Sequence, residues 1–240
     1  KLGHIDETIA ALSEYLNAPI NEGEITIQHA KYTLGFAYLK KGTYQEALNN
    51  FNAVSSVNPA NAKQNYQQDA YVRSADCLMM LKQFKQATQA YQNVIDLHWT
   101  MEDYATLQKS IILGGLGKTN DKIKLLEQFD NQYANSNYLN DARMELAETY
   151  IFKEDFSKAT VVTLYLLPDL NLKLRPILLK MKPGTRVVSH AFTMGDWEAD
   201  QEIEAGQRGY FWIVPANVAG DWVIDGIETQ NKVVLNLVQR

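Results

Sequence analysis

Apolar and small residues recur with helical spacing over the first two thirds of the chain, and the whole pattern then repeats at a fixed offset. Leu34, Gly35, Tyr38, Tyr44, Ala47, Phe51 and Val54 are matched forty positions later by Ser74, Ala75, Leu78, Phe84, Ala87, Tyr91 and Val94. Large falls on large and small on small at nearly every step. A further copy begins at Leu146, Ala147, Tyr150, Phe156 and Ala159, and there the pattern stops. This spacing predicts helix pairs near 28–59, 68–98 and 101–134, with partial pairs at 6–18 and 138–159. From Thr160 the period changes. Val161 to Leu167 is a continuous apolar run, as expected of a strand in a parallel sheet buried on both faces. Pro168 to Asn171 ends it, and Leu172 to Met181 reads as a helix with Pro176 near its first turn. Thr185 to Phe192 predicts a second strand. Residues 210–214 and 233–238 predict two more, with Trp222 to Ile224 extending or bending the first of them. The expected fold is mainly α: a solenoid of helical hairpins over 1–159, then a small, incomplete α/β segment over 160–240.

The small positions have a packing reason. Gly35, Ala75 and Ala147 let the partner helix approach closely, and Ala47, Ala87 and Ala159 do the same from the second helix. Gly42, within the polar stretch Lys40 to Thr43, supplies the turn. Pro59 stops the second helix. The step of forty exceeds the roughly 34 residues of a common helical-hairpin repeat, and the surplus falls in Ala60 to Gln67, as a lengthened loop or helix.

Composition supports the seam. Eleven of the 13 tyrosines lie at or before Tyr150, whereas Trp197, Trp212 and Trp222 and four of the six prolines follow Thr160. A formal charge of −5, from 23 basic and 28 acidic residues, argues against a nucleic-acid stripe or a polybasic membrane anchor. The single cysteine, Cys77, excludes an intrachain disulfide and a multi-cysteine zinc site. His4, His29, His98 and His190 are scattered without metal-ligand spacing. Apolar runs are far short of a membrane span, and Lys1-Leu2-Gly3-His4 is not a secretory leader. The expectation is a soluble chain of undetermined compartment. Gly117-Lys118-Thr119 suggests a phosphate loop, but position 112 is Ile112 where a glycine is needed, so a glycine turn with Thr119 or Asn120 as N-cap is expected.

The string Leu34-Gly35-x-x-Tyr38, Tyr44-x-x-Ala47-x-x-x-Phe51, Pro59 resembles the tetratricopeptide repeat, most closely over 28–59 and 68–98. The resemblance implies a right-handed solenoid whose inner surface, built from first helices, binds a peptide or a partner protein. Carried over position by position, that surface includes Tyr32, Phe36, Lys40, Asp69, Asp76, Met79 and Met144. The competing reading of Tyr32, Phe36 and Met79 is ordinary packing.

The later residues resemble a second family. Thr163-Leu164-Tyr165-Leu166-Leu167-Pro168-Asp169-x-Asn171, Leu174-Arg175-Pro176, Lys182-Pro183-Gly184-Thr185-Arg186-Val187-Val188-Ser189-His190 and Met194-Gly195-Asp196-Trp197 are similar to the C-terminal half of a class I S-adenosylmethionine-dependent methyltransferase. In that family the residues closing this strand border the pocket, which here implies Tyr165, Leu167, Pro168, Asp169 and Asn171. The family binds its cofactor with the other half of the fold, through a glycine-rich turn and an acidic residue, and nothing in 1–159 supplies them in order. The acidic stretch Asp196, Glu198, Asp200, Glu202, Glu204 reads as a solvated loop.

Three readings of function follow. One is a protein-interaction scaffold with a methyltransferase-like segment that is inactive alone, and with no cofactor, catalytic residue or metal assigned. The second is a methyltransferase using S-adenosylmethionine, whole or completed by another chain. The third is a fused chain without autonomous function. An apolar strand over 161–167 with an unpaired edge is also a candidate for self-association.

Overall fold

A computed structural model describes residues 2–18, 24–55, 65–224 and 233–237. The chain divides into two compact units, Lys1–Thr149 and Tyr150–Arg240.

The first unit is helical. In chain order it holds α1 (Leu2–Asn17), α2 (Glu24–Lys41), α3 (Tyr44–Val54), α4 (Asn65–Met80), α5 (Phe84–Asp96), α6 (Glu102–Gly115), α7 (Thr119–Glu127), α8 (Phe129–Gln132) and most of α9 (Leu139–Lys153). The pairs α2–α3, α4–α5 and α6–α7 are each closed by the same turn. Gly42 donates to Leu39 O at 3.1 Å and Thr43 to Tyr38 O at 3.0 Å; Lys82 to Met79 O and Gln83 to Leu78 O, then Gly117 to Gly114 O and Lys118 to Leu113 O, repeat the arrangement. These two bonds satisfy carbonyls that the ending helix leaves unpaired, and they require a left-handed residue between them. Gly42 and Gly117 take it at φ +85° and +71°, and Lys82 takes it at φ +60°. The Gly117-Lys118-Thr119 segment is thus the third copy of the hairpin turn. The N-cap is Lys118, with Thr119 as the first helical residue, so neither Thr119 nor Asn120 caps the helix.

Close approach explains Gly35. A Cβ built there would lie 2.8 Å from the Phe51 ring, and Phe51, Ala47, Ala75 and Ala87 are all fully buried. Ala147 is exposed, because no second helix follows α9. Phe156 and Ala159, which carry the repeat spacing, pack instead into the core of the second unit. The expected stop at Pro59 and the stretch 60–64 lie outside the described residues, and 65–67 form the first turn of α4.

The second unit is built on a four-stranded sheet in the order β1-β2-β4-β3, with β1 (Val161–Leu164), β2 (Arg186–His190), β3 (Gln201–Glu204) and β4 (Arg208–Ile213). Strands β1 and β2 are parallel and are joined by α10 (Pro168–Leu178). Strand β4 runs antiparallel to both of its neighbours. Pro168 opens α10 rather than merely ending the strand, since a proline in the first turn gives up a donor the helix does not use. Pro176 consequently sits near the end of α10 instead of its first turn.

Strand β1 is not buried on both faces. Val162, Leu164, Val187, Tyr210 and Trp212 point to the side covered by Leu174 and Leu178. Val161, Thr163, Val188 and Ile213 are exposed on the other, so β1 is covered on one face only. The acidic stretch is not a loop throughout: Gln201–Glu204 form the edge strand β3, paired to Arg208–Phe211. Trp222 to Ile224 do not extend β4. They belong to β5 (Gly220–Ile224), which pairs antiparallel with β6 (Val233–Leu237) in a separate two-stranded sheet. Among the described residues no helix is long and apolar enough to cross a membrane, and no cluster of metal-ligating side chains occurs.

Candidate functional site

Helix α4 presents Asp69, Arg73 and Asp76 at spacings of three and four, which places them along one face. The Arg73 guanidinium donates to Asp69 Oδ1 at 3.2 Å and to Asp76 Oδ2 at 2.7 Å. From α2, the Tyr32 hydroxyl donates to Asp69 Oδ2 at 2.6 Å. From α5 and α6, Tyr91 and Tyr104 donate to Asp76 Oδ1 at 2.6 and 3.0 Å. The guanidinium also lies 5.5 Å from the centre of the Tyr104 ring, a cation–π distance. Three successive first helices, α2, α4 and α6, are thereby tied through one arginine.

The electrostatics follow from partial burial. Burial works against the charge on Arg73, but Asp76 and Asp69 beside it outweigh that and hold it more firmly protonated than usual. Burial, then the Asp69 carboxylate, pushes the Tyr32 phenol up; burial and Asp76 do the same to Tyr91 and Tyr104. The three phenols therefore act as hydrogen-bond donors. Beside the network, Asn65, Asp69, Val72, Trp99, Thr100 and Met101 line a recess of about 200 Å³.

Of the residues expected on this surface, the structure brings Tyr32, Asp69 and Asp76 together. Phe36 stacks edge-on against Tyr32 and Phe51, at 5.0 and 5.2 Å, and belongs to a core cluster. Met79 packs against a second cluster. Lys40 and Met144 are exposed and lie outside the network. Sequence reasoning missed Arg73, Tyr91 and Tyr104. The available signal was the opposite-charge spacing Asp69-x-x-x-Arg73-x-x-Asp76. Cys77 is buried, and its thiol is pushed up to about 12 by burial and by Asp76. It is a packing residue.

In the second unit, a recess of about 420 Å³ opens at the carboxyl ends of the parallel strands β1 and β2, the position where open α/β sheets hold ligands. Tyr165, Leu166, Leu167, His190, Phe192 and Gln207 are among its lining residues. The Tyr165 ring lies 4.7 Å from that of His190. Ala191 holds a left-handed φ of +66°, uncommon for a residue with a Cβ. Pro168 and Asp169 sit exposed in the first turn of α10. Asn171 is fully buried: its Nδ2 donates to Ser189 Oγ at 3.0 Å and to Phe192 O at 3.3 Å, clamping α10 to β2. The Met194-Gly195-Asp196-Trp197 string is a tight turn. Gly195 has φ +68°, and Arg175 Nη1 donates to Met194 O at 2.8 Å and to the Asp196 carboxylate.

Comparison with known proteins gives two separate matches. Residues 28–61 match the tetratricopeptide repeat, and residues 124–201 match the ANTKMT methyltransferase domain. The second match starts inside α7, upstream of the strands. A protein-lysine N-methyltransferase of Saccharolobus islandicus (strain REY15A) is 44% identical over 63 residues, covering 26% of this chain and 39% of that protein. An RNA methyltransferase from Salinibacter ruber, solved with S-adenosyl-L-homocysteine, is 34% identical at a TM-score of 0.27; the match covers 41% of this chain and 78% of that one. The tetratricopeptide-like repeats of a putative kinesin light chain from Podosopora anserina are 17% identical at a TM-score of 0.51, covering 62% and 78%. That last likeness shows the helical-repeat fold alone.

Proposed function

We propose that this chain, which joins tetratricopeptide repeats to a methyltransferase-like segment, is a protein-interaction scaffold. The repeat unit holds a peptide or protein partner on the inner face built from its first helices, and the methyltransferase-like segment transfers no methyl group by itself. The observation that carries this reading is the Arg73 network. It fixes α2, α4 and α6 against one another, so that Tyr32, Asp69 and Asp76 present one polar and aromatic surface beside an apolar recess. Lys40 and Met144 are exposed for direct contact at the margins, while Phe36 and Met79 support the surface from beneath. Self-association through the free edge of β1 belongs to the same reading.

A second reading, transfer of a methyl group from S-adenosylmethionine, draws on the recess at the ends of β1 and β2 and on the methyltransferase match. Tyr165, Leu167, Pro168, Asp169 and Asn171 would border its pocket. The described lining offers the Tyr165 hydroxyl, His190 and Gln207 as polar side-chain groups, whereas a ribose diol calls for a carboxylate and the methionine end for a glycine turn. As described, it does not fit the cofactor unaided, which favours the scaffold.

Selection from a random peptide library on the immobilised chain tests the first reading. Enriched peptides should lose affinity on Lys40→Glu and on Tyr32→Phe, which removes only the hydroxyl. Peptides indifferent to both changes would remove the inner face from consideration. Titration calorimetry with S-adenosylmethionine tests the second, and micromolar binding would promote the enzyme.

A further inference from the structure

We propose that the recess beside the Arg73 network receives a lysine or arginine side chain of a partner peptide, its cation meeting the Asp69 carboxylate. This rests on the scaffold reading and specifies the chemistry of the partner at that face.

The recess is built from two segments. Asn65, Gln68, Asp69 and Val72 come from the first two turns of α4, and Trp99, Thr100 and Met101 from the turn that leads into α6. Its volume, about 200 Å³, is below the roughly 300–1,000 Å³ of sites that enclose a drug-sized ligand, so it suits a single side chain. Val72 and Trp99 are buried, and with Met101 they make the wall largely apolar. Asp69 is the one ionisable side chain among the described lining residues. An apolar wall that meets a single carboxylate matches a methylene stem with a cationic head, which is the make-up of lysine and arginine.

Asp69 has accepting capacity left. Its Oδ1 accepts from Arg73 at 3.2 Å and its Oδ2 from Tyr32 at 2.6 Å, whereas a carboxylate offers about four acceptor sites. Its side chain is 23% exposed, open enough to be reached and shielded enough that a charge-assisted bond there is stronger than in bulk water.

The surrounding charge favours a cation. Helices α4 and α6 carry the carboxylates Asp69, Asp76, Glu102 and Asp103 against Arg73 and Lys109. Arg73 is held between Asp69 and Asp76, and Lys109 reaches away to Gln92 of α5. Even with His98 protonated against Glu102, acids outnumber bases on these elements. A helix N-terminus would otherwise draw an anion, but at α6 the donors are already used. Glu102 N–H donates to Trp99 O and Ala105 N–H to Met101 O, each at 2.9 Å, and Tyr104 N–H donates to Asp103 Oδ1 at 2.7 Å. Lys40 lies eight residues beyond Tyr32 on α2, about 12 Å along the helix. The basic residue in the recess and the partner's contact with Lys40 are therefore separate.

The test uses the full chain, immobilised, and degenerate peptide pools that share one fixed residue in an otherwise random sequence. Pools with Lys or Arg fixed should be retained about two- to fivefold better than pools with Leu, Gln or Glu fixed. Thr100→Lys, at an exposed position of the rim, should remove that preference. Asn52→Lys makes the same change in net charge at an exposed site on α3 outside the recess, and should leave most of it. Asp69→Asn, which keeps the shape of the side chain, should also remove it, so the result does not hang on one variant. A preference for Leu or Glu, with binding still sensitive to Tyr32→Phe, keeps the scaffold and overturns this recess chemistry. Equal loss in Thr100→Lys and Asn52→Lys assigns the preference to the overall charge of the chain and overturns it too. If no pool is retained, the scaffold reading falls and this inference falls with it.

Discussion

The helical unit and the α/β unit resolve their exposed surfaces differently. Each repeat in the first unit buries its second helix against its own first helix and the next repeat: Phe51, Ala75, Ala87 and Tyr91 are all fully buried. The sheet of the second unit is covered by α10 on one face and left bare on the other, so Val187 is fully buried while its neighbour Val188 is 36% exposed. A repeat needs only its sequence neighbours to complete a core. A parallel βαβ unit is made to be covered on both faces, and among the described residues α10, with Ile151 from the end of α9, covers only one face of this one.

Equal cavities cut into the two cores should cost about the same, and that equality is the strongest check on the comparison. Phe51→Ala removes a ring that fills the space left by Gly35. Trp212→Ala removes the largest fully buried side chain of the sheet, whose Nε1 donates to Trp197 O at 2.9 Å. Each should cost about 3–5 kcal/mol, read by helical circular dichroism for the first and by tryptophan fluorescence for the second. A much smaller loss at Trp212 would mean that the sheet core is loosely packed and that the parallel between the units fails.

The polar network of the repeats joins four helices, whereas the buried Asn171 amide in the sheet unit ties only α10 to β2 and the residues just after it. Asp76→Ala leaves two phenol hydroxyls and one side of the Arg73 guanidinium without their acceptor, at a cost of about 2–3 kcal/mol. Denaturant titration measures it. The same network predicts a pH dependence. Tyr32, Tyr91 and Tyr104 have folded-state pKa values above the usual phenol value of about 10. The unfolded chain therefore loses these protons first. Their contribution is fully present below about pH 10 and falls as pH rises further. Melting followed from neutral to strongly alkaline pH should show the helical unit weakening above that point, and Tyr91→Phe should flatten the slope.

Adjacent valines on β2 sharpen the contrast between the two faces. Val187→Thr buries a hydroxyl among apolar neighbours and should cost about 1–2 kcal/mol. Val188→Thr, on the bare face, should stay within about 0.5 kcal/mol at dilutions that keep the chain monomeric. A large loss at Val188 would mean that something covers that face in solution.

The sequence announced the repeats more fully than the sheet, for a physical reason. Side chains at helical spacing pack against residues a few positions away, so Gly35 and Phe51, or Ala47 and Ala87, betray their roles locally. The boundaries of β1 and α10 depend on long-range pairing. The apolar run to Leu167 did not reveal that the strand ends at Leu164, nor that Pro168 starts the helix. Strand β3 was hidden because its residues are acidic and exposed; only its register against β4 makes it a strand. At the candidate site, Tyr32, Asp69 and Asp76 were legible from repeat positions. Arg73 was not, because its importance lies in tyrosines that arrive from three other helices.

The smallest expected effect concerns the three hairpin turns that the repeats share. Gly42 and Gly117 occupy the left-handed position with no atom within 4 Å of where a Cβ would stand. Lys82 occupies the same position at φ +60° and carries a side chain there. For a residue other than glycine this backbone region costs roughly 1–2 kcal/mol, while glycine loses more chain entropy on folding, by about 0.5–1 kcal/mol. The steric term is the larger, so Lys82→Gly should stabilise the helical unit by about 0.5–1 kcal/mol, and Gly42→Lys should destabilise it by a similar amount. The two changes make the first and second turns exchange residues, and thermal melts of both variants read the result directly. If Lys82→Gly is instead destabilising, the lysine stem contributes packing that outweighs its backbone strain, and the second hairpin turn is held by its side chain where the first and third are held by backbone alone.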